Sequence, residues 1–137
     1  MTRTVKWGDC DPAGVIYTPR MLDFAMETLE GWYRDVLGIS WLKLKQELHM
    51  GAPTVRAEIN FLAASEPDNE VTTALRVQKL GNSSITYEMT GHDGNGKDYY
   101  QAIVVACFVS QPAFKATGIP EPFRDRILTY QRECNDA

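Results

Sequence analysis

Much of what supports metal, disulfide or triad chemistry is scarce in this chain. Among its 137 residues there are three cysteines and two histidines. Cys10, Cys107 and Cys134 form neither an even disulfide set nor a metal-type cluster. The spacing of His49 and His92 suggests no metal site, and without a Gly-x-Ser-x-Gly elbow a serine–histidine triad is not expected. No basic run appears, and a formal charge of -4 with a pI near 5.1 argues against nucleic acid as a partner. No apolar run approaches the roughly 18 residues of a membrane span. The longest, Ala102 to Val109, is strand length. No apolar leader follows Met1, so a reduced, cytoplasmic setting is the expectation. Repeats, low-complexity tracts and linkers are missing too, which predicts one domain over residues 1–137.

The chain has apolar residues at 44% and charged residues at 23%, the balance of a globular protein. Residues 2–6 suit a short strand, and residues 8–19 a loop rich in glycine and proline. From Arg20 to Leu37, Leu22, Ala25, Leu29, Trp32 and Val36 recur at helical spacing. Thr18 would cap that helix, Pro19 would open it and Gly38 would stop it. Gly31 inside the helix costs about 1 kcal/mol against alanine, which suggests close packing there. A shorter helix is expected over residues 40–49. Val55 to Phe61 alternates as a half-buried strand. Val71 to Leu80 and Ile85 to Thr90 are further strands about the turn Gly81–Ser84, and Asp93–Gly96 is a strong hairpin signal. Tyr99 to Val109 reads as a strand covered on both faces. The tail after Pro112, Pro120 and Pro122 is polar, with part of it expected to be helical. The fold class is α+β: an antiparallel sheet of about five strands wrapped around one long central helix.

Trp7-Gly-Asp-Cys-Asp-Pro-Ala-Gly-Val-Ile-Tyr-Thr-Pro-Arg20 is the segment that packing explains least. Asp9 and Asp11 lie just upstream of a helix N-terminus, whose free N–H groups and dipole favour negative charge. A carbonyl held there could have its oxyanion stabilised while a carboxylate attacks it or activates water. By type and spacing alone, both aspartates read at least as well as ordinary turn residues.

The run Gly-Asp-Cys-Asp-Pro-Ala-Gly before a proline and a long amphipathic helix resembles the 4-hydroxybenzoyl-CoA thioesterase family of hotdog proteins. Lys79-Leu-Gly-Asn-Ser-Ser-Ile-Thr-Tyr87 resembles that family's Leu-Gly-x-Ser-Ser turn and following strand. The order of elements agrees along nearly the whole chain. The resemblance implies the hotdog fold and hydrolysis of an acyl- or aroyl-CoA thioester to the free acid and CoA. Asp11 matches the catalytic carboxylate, as nucleophile or general base, and Thr18 matches the position whose backbone N–H polarises the thioester carbonyl. Tyr17, Lys79 and Ser84 are assigned to the substrate. The hydroxybenzoyl-specific enzyme has paired arginines near the turn occupied here by Gly81–Asn82. They are missing, and Lys79, Arg76 or Arg56 could replace them.

The resemblance also implies a homodimer or homotetramer, with the site finished by the partner subunit. No cofactor is expected, since coenzyme A is part of the substrate. Glu27 and Glu30 offer a rival mid-helix carboxylate, although a solvated face suits them better. Cys10 between two aspartates is a poor thiolate. Trp32, Tyr33, Trp41 and Tyr17 could line an aromatic-tolerant pocket, or be core. The alternatives to hydrolysis are an acyl-CoA-binding hotdog protein that acts as sensor or scaffold, and an enoyl-CoA hydratase; the loop lacks the histidine that hydratases usually place beside their acid.

Overall fold

Alternation of apolar and polar side chains builds most of the sheet in the computed structural model, which describes residues 1–136. Strands β1 (Thr2–Thr4), β3 (Thr54–Phe61), β4 (Glu70–Leu80), β5 (Ser84–His92) and β6 (Asp98–Cys107) form one five-stranded sheet. Its order is β1-β4-β5-β6-β3, with every pairing antiparallel. Short strands β2 (Met50–Gly51), β7 (Val109–Ser110) and β8 (Lys115–Ala116) make a second, small sheet.

Helix α1 (Pro19–Trp32) continues as one wide turn over Tyr33–Leu37 and ends at Gly38, whose φ of 72° is open to glycine because it has no Cβ to clash. Met21, Phe24, Ala25, Leu29 and Trp32 are buried, and α1 touches β4 and β6. Opposite lie Leu75, Val77, Ile85, Tyr87, Met89, Ala102 and Val104, all buried. This shared apolar layer is the main core. Helix α2 (Trp41–Leu48) begins where Ser40 Oγ accepts the Lys43 N–H at 3.1 Å.

Four expectations change. The tail, expected to be partly helical, forms the 16-residue helix α3 (Glu121–Asp136), so the chain has two long helices rather than one. Phe123 and Ile127 on α3 are buried. The reason for α3 lies in β1, which pairs only with Glu70 to Thr72 and leaves the rest of that β4 edge open. Tyr130 Oη donates to the Leu75 carbonyl and Gln131 Nε2 to the Val77 carbonyl at 3.2 Å, closing the edge with side chains.

Gly31 meets no neighbour within 4 Å of a Cβ built on it, so close packing does not explain it. Strand β3 is mostly exposed rather than half-buried, because it is an edge strand from which only Ile59 packs partly against the core: Val55 is 62% and Phe61 48% exposed. In β6, Tyr100, Ala102, Val104 and Ala106 are buried while Ile103 and Val105 are only half-buried. That strand is fully covered on one face alone. No described helix is long and apolar enough to cross a membrane.

Candidate active site

The aspartate loop is built from its two ends inward. Val5 donates its N–H to the Asn69 carbonyl and accepts from the Asp68 N–H, both at 2.8 Å, so the loop starts at the foot of β4. Trp7–Asp9 makes a single tight helical turn. There the Asp9 carboxylate accepts the Lys6 N–H at 2.9 Å, and the Asp9 N–H donates to the Lys6 carbonyl at 2.9 Å. Cys10 then pairs with Ile16 across a small hairpin. Asp11 sits at its turn: its N–H donates to Val15 O (3.1 Å), its carbonyl accepts the Gly14 N–H (2.9 Å), and its Oδ1 accepts the Ala13 N–H (2.9 Å). Gly14 permits the reversal with φ +80°. On the way back, Ile16 donates to Ser65 O and Tyr17 to Asp9 O, both at 2.8 Å.

Thr18 does not cap α1 with its hydroxyl. It already has helical angles, φ -44° and ψ -49°, which turn its side chain away from the N–H groups it was expected to satisfy. Main-chain carbonyls do that work instead: Tyr17 O takes the Arg20 N–H at 2.8 Å and Thr18 O takes the Met21 N–H at 3.2 Å. Pro19 has no N–H to offer. Among the described residues the Thr18 N–H finds no backbone acceptor, and it stands at the positive end of the helix. Such a donor fits an oxyanion.

Thr18 lines a hollow of about 260 Å³ with Ile16, Met21, Phe61, Leu62 and Ala64. Asp11 lines another, of about 340 Å³, with Trp7, Cys10, Pro12 and Gly14. The Cys10–Ile16 hairpin contributes to both, but a single chain does not place the two groups in one pocket. A third hollow, about 330 Å³, is lined mainly by Met26, Trp41, Leu44, Met50, Pro53 and Phe114.

Tyr17 is 54% exposed beside Thr18. Lys79 is exposed and Ser84 half-buried, but neither lies near the loop. Glu70 to Lys79 spans about 30 Å of strand, and the loop is fastened at the Glu70 end. Of the possible replacement cations, Arg76 bonds Asn135 at 3.3 Å and Arg56 pairs with Glu58 on β3. The cation found at the Gly81–Asn82 turn is a different one. Arg124 donates to the carbonyls of Gly81 and Asn82, each at 2.8 Å. Sequence reading missed it, since only the docking of α3 brings it there. Trp7, 83% exposed against Asp11, was also passed over, although an aromatic residue directly before Gly8-Asp9 was visible.

The rival groups are occupied or poorly suited. Glu27 pairs with Arg3, whose guanidinium lies 4.6 Å from the Phe24 ring centre, and Glu30 pairs with Arg34 at 2.7 Å. Partial burial, then the Asp9 and Asp11 charges, push the Cys10 thiol above its usual pKa, which disfavours the thiolate. His92 Nδ1 accepts the Gly94 N–H at 3.0 Å, and His49 closes α2 with φ 53°. Tyr33 and Trp32 are core residues, not pocket walls for the loop. Among the described residues no group of three or more metal-ligating side chains forms.

A family model described as the thioesterase-like superfamily matches residues 5–127. A 1,4-dihydroxy-2-naphthoyl-CoA hydrolase of Prochlorococcus marinus (strain MIT 9515) is 32% identical over 87 residues, 60% of this chain and 57% of that protein. The chain thus spans little more than half the length of that relative. A thioesterase-superfamily protein from Jannaschia sp. CCS1 superposes with a TM-score of 0.84 at 27% identity, covering 95% of this chain and 92% of its own. A 1,4-dihydroxy-2-naphthoyl-CoA thioesterase from Synechocystis gives a TM-score of 0.86 at 20% identity, covering 93% of each chain, and shares the fold.

Proposed function

The chain belongs to the thioesterase-like superfamily, and on that premise we propose that it hydrolyses an aroyl-CoA thioester, with Asp11 as the reacting carboxylate. The observation that carries this reading is the Thr18 N–H, unpaired at the start of α1 on the loop that presents Asp11. A thioester carbonyl bound to that donor would be polarised toward attack. Either Asp11 attacks the carbonyl carbon, expelling CoA thiolate and leaving a mixed anhydride that water cleaves, or it takes a proton from a water that attacks directly. Single-turnover hydrolysis in oxygen-18 water separates the two when combined with trapping by hydroxylamine: label in Asp11 or a trapped acyl-enzyme establishes attack, and label in the product acid with nothing trapped supports the base role.

Two copies are needed for a complete site. The exposed apolar edge of β3 suits isologous pairing with the same edge of a second copy. Antiparallel pairing there would set the Phe61 end of one β3, with its Thr18 hollow, beside the Thr54 end of the other. The apolar Met26–Trp41–Met50 groove opens at that second end. It would take the acyl group, and its aromatic and thioether lining suits a planar ring. The Prochlorococcus relative's naphthoyl-CoA substrate supports the same class. Arg124, with Lys79 and Ser84, would then meet the nucleotide phosphates at the Gly81–Ser84 turn, a role for which arginine's unused N–H groups are suited.

The test is thiol release from a panel of aroyl- and alkanoyl-CoA esters. Turnover selective for aroyl esters supports the proposal. Binding without thiol release would point to a sensor instead, and equal turnover of both classes would remove the aromatic assignment.

A further inference from the structure

Asp9 is the one buried charged residue among those described, at 8% exposure, and the reaction just outlined does not use it. Burying a carboxylate is costly unless its oxygens are well partnered. Here the partners are few: the Lys6 N–H at 2.9 Å and, more loosely, Arg20 Nε at 4.0 Å, on a side chain 47% exposed. That pair is solvent-screened and contributes little. An apolar residue would fill the site without this cost, so the carboxylate needs another reason to be there.

Its position supplies one. The side chain of Asp9 holds Lys6, on the way into the loop, while its own carbonyl holds the Tyr17 N–H at 2.8 Å, on the way out. One residue therefore joins both arms of the loop. Asp11 lies two positions after it, and Thr18 directly follows Tyr17. Asp9 is thus bonded to the arm that leads in ahead of Asp11 and to the arm that leads out to Thr18.

We infer that Asp9 is a positioning residue: by bonding Lys6 and Tyr17 together it sets the separation between the Asp11 carboxylate and the Thr18 oxyanion donor. This rests on the thioesterase reading above. The role depends on geometry, not on charge. Misplacing a reacting group by about 1 Å can cost on the order of 100-fold in rate, whereas substrate affinity comes from contacts elsewhere.

Two substitutions separate geometry from charge, assayed where circular dichroism shows each variant fully folded. Asp9→Asn keeps the size and the acceptor for Lys6 but loses the charge; kcat should stay within about fivefold of wild type. Asp9→Glu keeps the charge but displaces the acceptor by one methylene; kcat should fall at least about tenfold with KM nearly unchanged. Asp9→Glu outperforming Asp9→Asn would overturn the inference, because the charge would then matter. So would a normal kcat in Asp9→Glu, or a loss expressed chiefly in KM. Asp11→Asn is measured alongside: if it retains the wild-type rate, the thioesterase assignment fails, whatever the Asp9 variants do.

Discussion

Arg124, near the start of α3, donates from a single guanidinium nitrogen to the carbonyls of Gly81 and Asn82 at 2.8 Å each. The C-terminal helix thereby fastens the β4–β5 turn, and the same helix bonds β4 through Tyr130 and Gln131. Removing Arg124 leaves two carbonyls without these charge-assisted bonds. Arg124→Ala should lower stability by about 2 kcal/mol, read as a reduced urea midpoint. With KM measured for a CoA ester, a rise of several-fold would also agree with the phosphate role proposed for it.

Asp11→Asn should reduce thioesterase kcat by at least about 1000-fold and leave the thermal midpoint nearly unchanged. Asparagine can still accept the Ala13 N–H that Asp11 accepts at 2.9 Å, so the turn has no reason to rearrange. A variant that turned over near the wild-type rate would sink the mechanism.

Gly31→Ala should stabilise the protein by about 0.5–1 kcal/mol in urea unfolding. The added methyl meets nothing within 4 Å, and the site lies within α1. Destabilisation would show that a partner chain or ligand packs against the glycine.

If the chain pairs through β3 as proposed, replacing Val55 and Phe61 together by lysine should leave it monomeric in sedimentation velocity. Both side chains are largely exposed on β3, and charges there oppose edge pairing. Thiol release should fall with dimerisation. An unchanged sedimentation coefficient would move the interface elsewhere.

Burial raises the phenol of Tyr33 to about 12 and that of Tyr100 to about 12, and drives Tyr87 well above 10. An unfolded tyrosine ionises near pH 10. These groups hold their protons more tightly when folded, so their contribution is complete below pH 10 and declines as pH rises toward 12. Each loses about 1.4 kcal/mol per pH unit in that window. Stability should be flat to pH 10 and then drop, with late tyrosinate absorbance at 295 nm accompanying unfolding.

Periodicity made α1 and the strands β4 and β5 legible, because their faces are buried by the same chain. It misled at β3, where Val55, Ala57, Ile59 and Phe61 alternate perfectly but all except the half-buried Ile59 stay open in a single chain. It also undersold α3: few of that helix's residues are buried, and its value to the fold lies in the side-chain bonds that close the β4 edge. In the loop, residue types and order marked the helix start after Thr18 but left Asp11 no better than a turn residue; only the resemblance to a known family singled it out. They misled on the hydroxyl of Thr18, expected to cap α1 and capping nothing, and they left Asp9 as a turn residue where it joins the two arms.

What the sequence determined by itself is the class of the protein: an α+β chain with one amphipathic helix ahead of a strand meander, and an aspartate loop at that helix's positive end. Local spacing and turn chemistry suffice for those features, since each depends on residues close along the chain. Tertiary structure decided which groups meet. Arg124 reaches Gly81, Asn69 receives Val5, and Ser65 receives Ile16 only once the sheet has brought distant segments together. It also decided which do not meet: about 30 Å of extended β4 keeps Lys79 and Ser84 away from Asp11 within one chain. A strand's rise per residue sets that distance, and no side-chain substitution shortens it.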